Sequence, residues 1–199
     1  MDNPLQNIEQ TFEVNLPQQD SLDDYLDEVL PTIRQWSEDL REMKFFVMDG
    51  GKPWLEIRDD PGFMEQVLHF FNEGGEYLQS VDGNVSRGKW RLLDQTNKII
   101  IEQGGGGGGR GGGSAAKSEL YELAFLNAGF FILKKHGDQG RKKKRKYLFM
   151  GYEPVVKGLK WLDCVELLFN EYRNQWGSFQ WAVVAAVVLV LALLLYSLF

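Results

Sequence analysis

Residues 118–135 read SELYELAFLNAGFFILKK, and the way this stretch pairs decides the fold. Its two halves, SELYELAFL and FFILKK, are short, aromatic and aliphatic, and bounded by turn residues, which suits strands rather than helices. Between them, Asn127, Ala128 and Gly129 supply turn chemistry. An antiparallel hairpin follows. The face of its first strand is open: either Leu120, Glu122, Ala124 and Leu126 or Tyr121, Leu123 and Phe125 point inward.

The same signature extends to both sides. GEYLQSVDGN, GKWRLLD, KIIIEQ and RKYLFMGY are further β-rich runs between Gly74 and Tyr152, separated by DGN, DQTN, a glycine tract and a basic loop. In the first run, Tyr77, Gln79 and Val81 share a face. Consecutive hairpins make a meander, and a meander that closes on itself removes its exposed edges. The expected class is therefore α+β, with an antiparallel β-meander forming a small barrel or half-barrel, flanking helices and one C-terminal transmembrane helix. Ahead of the meander, Asp49, Gly50 and Gly51 suggest a turn and Trp54, Leu55 and Ile57 a strand. Asp60 and Pro61 then suggest a helix start, with Phe63, Met64, Val67, Leu68 and Phe71 facing inward.

The order of a Trp54 strand, GGEY at 74–77, Gly88-Lys-Trp90, NKIII at 97–101, YELAFL at 121–126, NAGFFILK at 127–134 and KYLF at 146–149 resembles the lipocalin-like domains common in Bacteroidota proteins. The resemblance covers about residues 51–152. It implies a small barrel in which Trp90 closes one end as packing; separately, a lipid or other small apolar ligand held in the barrel would be lined by Tyr77, Trp90 and Phe131. Such domains are usually exported with a lipid-attachment cysteine near the start, and this chain carries neither that cysteine nor a signal peptide pattern at its beginning.

The flanks complete the organisation. Residues 1–19 read as a flexible arm and 20–44 as an acidic amphipathic segment, in which Leu22, Leu26, Val29, Leu30, Ile33, Trp36 and Leu40 recur at helical spacing. Asp20 or Ser21 would cap it, and Pro31 would kink or divide it. Residues 45–176 form the barrel domain, with a glycine-rich insertion at 104–114 and a closing helix at 160–174. Residues 178–199 are the membrane segment. From Phe179 to Phe199 the chain runs twenty-one residues without a charge, and about 20 apolar residues cross a hydrocarbon core as a helix. Lys157, Lys160 and Arg173 precede it, so the positive flank places the head in the cytoplasm. A tail-anchored protein of the bacterial inner membrane is the expectation.

Charge is polarised. Residues 1–73 carry a net −12 and residues 74–199 a net +6, within an overall −6. Eight basic residues lie between Lys134 and Lys146. Of these, Arg141, Lys142, Lys143, Lys144, Arg145 and Lys146 are candidates for contact with anionic headgroups. Nucleic acid is not expected as a partner, since no aromatics interleave with the charges.

The glycine tract does not read as a phosphate loop, because neither Gly-Lys-Ser/Thr nor a strand-turn-helix frames it. No nucleophile elbow, zinc-protease motif or paired carboxylate spacing appears, and one cysteine with two histidines offers no metal set. Neither an enzyme nor a cofactor is expected. The leading expectation is a recruitment module that holds a protein partner at the membrane through Leu26, Leu30, Ile33 and Trp36, with self-association left open. Binding of a lipid or small hydrophobic molecule in the barrel is the alternative.

Overall fold

A computed structural model describes residues 19–48, 51–104, 117–137, 145–173, 184–191 and 193–194. Residues 15–169 form one compact unit, and residues 170–199 belong to a second. The first unit is a closed eight-stranded antiparallel barrel in simple sequential order. Its strands are β1 (Trp54–Ile57), β2 (Val67–Phe71), β3 (Glu76–Val81), β4 (Asn84–Leu92), β5 (Lys98–Gln103), β6 (Lys117–Leu126), β7 (Phe130–Lys135) and β8 (Tyr147–Tyr152). Closure is made by β8 returning to β1, with Trp54 opposite Tyr152 and Ile57 opposite Phe149.

Local chemistry sets the hairpins. Asp82 and Gly83 both take positive φ, at 48° and 86°, which gives the two-residue turn whose twist matches the flanking strands. At the β6–β7 turn the Asn127 carboxamide accepts hydrogen bonds from Gly129 N at 2.9 Å and Phe130 N at 2.6 Å. Gly88 sits where β4 and β5 run close: a Cβ there would lie 2.0 Å from the Glu102 carbonyl oxygen. The Gly88-Lys-Trp90 signature is thus a packing requirement of the coiled wall.

Residues 61–66, expected to open a helix, contain a turn and irregular chain, and the following residues form β2. Gly62 adopts φ 88° and Met64 is 93% exposed, so no helical stripe exists there. Val67, His69 and Phe71 instead alternate into the barrel.

One end of the lumen is plugged. Helix α1 (Leu22–Ile33) is capped by Ser21 and ends just after Pro31. The chain then turns through Arg34–Trp36 and Met43–Phe45 and lays Leu40 and Phe46 into the barrel core, both fully buried. The expected stripe therefore stops at Ile33. Phe46 lies 5.5 Å from Trp90, 5.9 Å from Phe71 and 5.1 Å from Phe131 between ring centroids. The Trp54 indole donates to the Phe46 carbonyl at 3.1 Å. Lys52 pins the plug from the side, donating to the carbonyls of Phe45 and Ala128 at 2.7 and 2.8 Å with its ammonium 4.3 Å from the Trp54 ring centroid.

On the outside, Phe130, Ile132 and Phe149 are also buried, so the wall at β7 and β8 is covered. Helix α1 and the start of helix α3 (Trp161–Arg173) supply apolar faces for that cover, with Tyr25 against Trp161 at 5.7 Å and Cys164, Val165 and Leu168 buried. A short helix α2 (Glu153–Val156) links β8 to α3.

In the second unit, residues 184–191 and 193–194 are helical, and Val187, Leu189 and Leu193 are 52%, 61% and 60% exposed. The rest of the expected span Phe179–Phe199 lies outside the described residues. Among the described residues no helix is long and apolar enough to cross a membrane.

Candidate functional site

The alternation that fills the barrel changes character along its axis. Away from the plug, the inward positions of β1 pass from Trp54 to Glu56, with Arg58 next, and those of β2 from Phe71 to His69. On β3 they pass from Tyr77 to Gln79, on β5 from Ile101 to Gln103, and on β6 from Tyr121 to Glu119 and Lys117. Lys135 follows Leu133 on β7. Together with Arg145, Tyr147 and Leu148 these residues line an open recess of about 350 Å³, within the size range of small-molecule sites. The aromatic plug lies at one end of the barrel and this polar recess at the other.

Two carboxylates organise the recess. Glu56 accepts two hydrogen bonds from Arg58, at 2.6 and 2.8 Å, one from Arg145 at 2.9 Å and one from His69 Nε2 at 3.1 Å. Burial alone would raise its carboxyl, but the His69 and Arg58 hydrogen bonds and charges hold it down to about 2. Because an ionised carboxylate only accepts, His69 Nε2 carries a proton toward Glu56, and Nδ1 stands 2.5 Å from the Tyr77 hydroxyl.

Glu119 is the second anchor. It takes Lys135, Lys117 at 3.1 Å and the Tyr121 hydroxyl at 2.5 Å. Burial opposes its charge as well, yet hydrogen bonds from Lys135, Tyr121 and Lys117 bring it to about 2. Burial pushes the Tyr77, Tyr121 and Tyr147 hydroxyls upward, each with added repulsion from nearby carboxylates. All three remain neutral phenols at physiological pH. Among the lining residues, Arg58, Lys117, Lys135 and Arg145 face only Glu56 and Glu119. Arg145 also reaches the rim carboxylate Asp60. The recess is thus cationic within a chain of net charge −6.

Chemically, this arrangement can receive oxyanions: it presents guanidinium, ammonium and amide donors around a small apolar floor of Ile101 and Leu148. Among the described residues no group of three or more His, Cys, Asp or Glu is placed to hold a metal ion. Cys164 is buried in α3, and burial raises its thiol to about 12, so it is an inert core residue.

The residues singled out from the sequence are dispersed. Leu26, Leu30 and Ile33 are 0%, 6% and 2% exposed, and Trp36 is half-buried. The α1 stripe is spent on its own unit and presents no apolar face. Tyr77 lines the recess, but Phe131 is fully buried among the plug aromatics. Trp90 lines a different hollow of about 720 Å³ beside the plug, with Met43, Val47 and Gly75, and its indole donates to the Asn72 carbonyl at 2.9 Å. These three do not share one cavity. Arg141, Lys142, Lys143 and Lys144 lie outside the described residues. Arg145 turns to Glu56 and Asp60, while Lys146 pairs with Asp27 of α1 and its backbone N–H donates to Asp23 at 2.9 Å. Both engage carboxylates of their own chain.

Sequence reading missed Glu56, Arg58, His69, Gln103, Lys117, Glu119 and Lys135. Their signal was the two-residue step from core positions, which places them on inward faces. Comparison with family models, curated proteins and solved structures gave no match to this chain.

Proposed function

We propose that the barrel binds a small anionic molecule in the recess between Glu56 and Glu119. One observation carries this reading: four cationic side chains line the recess against two carboxylates, both of which are held ionised. Excess positive charge walled by a barrel strengthens charge-assisted hydrogen bonds to an oxyanion relative to open water. The polarity of this end favours an anion over a lipid or other small apolar ligand. Thermal unfolding of the full chain in a panel of small carboxylates and phosphate, at fixed ionic strength, tests the proposal. Occupancy at a hundred times Kd stabilises by about 2.7 kcal/mol, which raises Tm by about 5–10 °C for a unit of this size. If no anion exceeds the chloride control, the reading fails.

A second proposal concerns location. The uncharged stretch Phe179–Phe199 supports attachment of the barrel to a membrane through its C-terminal end. Alkaline extraction of membranes from expressing cells is the check: release of the chain into the soluble fraction would remove this proposal.

A further inference from the structure

Resting on the anion-binding reading, the geometry points to a ligand with two anionic groups: we infer that the recess takes a short organic dianion spanning the lumen between two cation pairs. Each pair is built around one shared carboxylate. Arg58 and Arg145 converge on Glu56, and Lys117 and Lys135 converge on Glu119. One cation more than carboxylates stands at each station, before the exposed Asp60 takes its share of Arg145.

The stations stand on different walls. Glu56 belongs to β1 and Glu119 to β6, and in the closed order these strands are separated by β7 and β8 on one side and by four strands on the other. Lys135 and Arg145 bring the two stations close on neighbouring strands, since the Lys135 backbone N–H donates to the Lys146 carbonyl at 2.9 Å, but the recess exceeds what one oxyanion fills: a lone carboxylate or phosphate takes up the space of about three waters, about 90 Å³, against about 350 Å³ available. The rest of the lining carries hydrogen-bonding groups at Gln79 and Gln103 and the apolar Ile101, which suits a short carbon spacer with polar substituents. The chemical class is a dicarboxylate or a phosphorylated carboxylic acid.

Isothermal titration of the full chain in detergent tests this, using malonate, succinate, glutarate and adipate, phosphoglycolate, and the monoacids acetate, propionate and butyrate at constant ionic strength. At least one dianion should bind about tenfold or more tighter than the monoacid of equal chain length, the discrimination that one additional charge-assisted contact confers. The two dianion arms separate dicarboxylate from phosphorylated acid. Lys117→Gln removes a side chain that is 65% exposed, so the fold is retained, and it should lower dianion affinity toward the monoacid level. Arg145→Gln should do the same from the other wall. Equal binding of monoacids and dianions overturns the two-station inference and leaves the anion site standing. Dianion binding indifferent to both substitutions also overturns it. Silence from every anion removes the anion-binding reading itself.

Discussion

His69 Nδ1 lies 2.5 Å from the Tyr77 hydroxyl while its Nε2 lies 3.1 Å from Glu56, so a 2%-exposed imidazole is held between side chains from two different strands. The pair fixes the orientation of Tyr77 at the boundary between aromatic core and polar recess. Tyr77→Phe keeps the ring and removes the hydroxyl, leaving Nδ1 unpartnered. A loss of about 1–3 kcal/mol is expected, read as a lower urea midpoint with an unchanged slope.

The acid limb of stability should follow Glu56 and Glu119. Both carboxyls sit lower in the folded state, at about 2, than the ordinary value of 4.5. The unfolded chain therefore takes up protons first as pH falls, and their stabilisation is complete above about 4.5 and lost on the way down to about 2. For the well-buried Glu56 this amounts to about 3 kcal/mol at neutral pH. The contribution of Glu119 is smaller, because solvent screens it. Urea midpoints between pH 2 and 7 should fall across that window, and Glu56→Gln should flatten the fall. Glu56→Gln should also cost about 3–5 kcal/mol at pH 7 by leaving the Arg58 charge uncompensated, while Arg145 keeps Asp60. An unchanged acid limb in this variant would contradict the assignment.

Phe46 is the keystone of the plug, fully buried and in ring contact with Phe71, Trp90 and Phe131. Phe46→Ala should cost about 3–5 kcal/mol. Because the recess is at the opposite end, anion affinity measured below the new midpoint should stay within about threefold of wild type.

Gly88→Ala places a methyl group 2.0 Å from the Glu102 carbonyl oxygen, where backbone rather than a flexible side chain must yield. A destabilisation of about 2–4 kcal/mol is expected, with faster amide exchange at β4 and β5. A neutral substitution would mean that the two strands separate at little cost.

The strands from Glu76 to Tyr152 were legible because alternation and turn chemistry agreed there, as at Asp82-Gly83 and Asn127-Ala128-Gly129. Strand β2 was not, since Val67 and Phe71 satisfy a four-residue helical step and a two-residue strand step equally well. Only the inward His69 between them distinguishes the two, and a lone histidine reads as polar surface. The face of β6 was undecidable for a physical reason: pairing with β7 shifts register between Leu123 and Phe125, so residues of both parities, Tyr121 and Leu126 among them, end up in the core. The recess escaped notice because its members are scattered over seven strands and two loops, and each charged one alone resembles a solvated charge. Glu56 two residues after Trp54, and Glu119 two before Tyr121, show their meaning only once the barrel closes.

Among the described residues the lumen has one door. With Phe46, Phe71 and Phe131 filling the far end, the barrel is a cup and not a pipe. A molecule held beside Glu56 and Glu119 must leave past the same rim of Lys117 and Arg145 by which it arrived. A competitor cannot push it out from behind, so its dissociation rate should not depend on how much competitor waits outside, and residence time becomes a property of that rim alone.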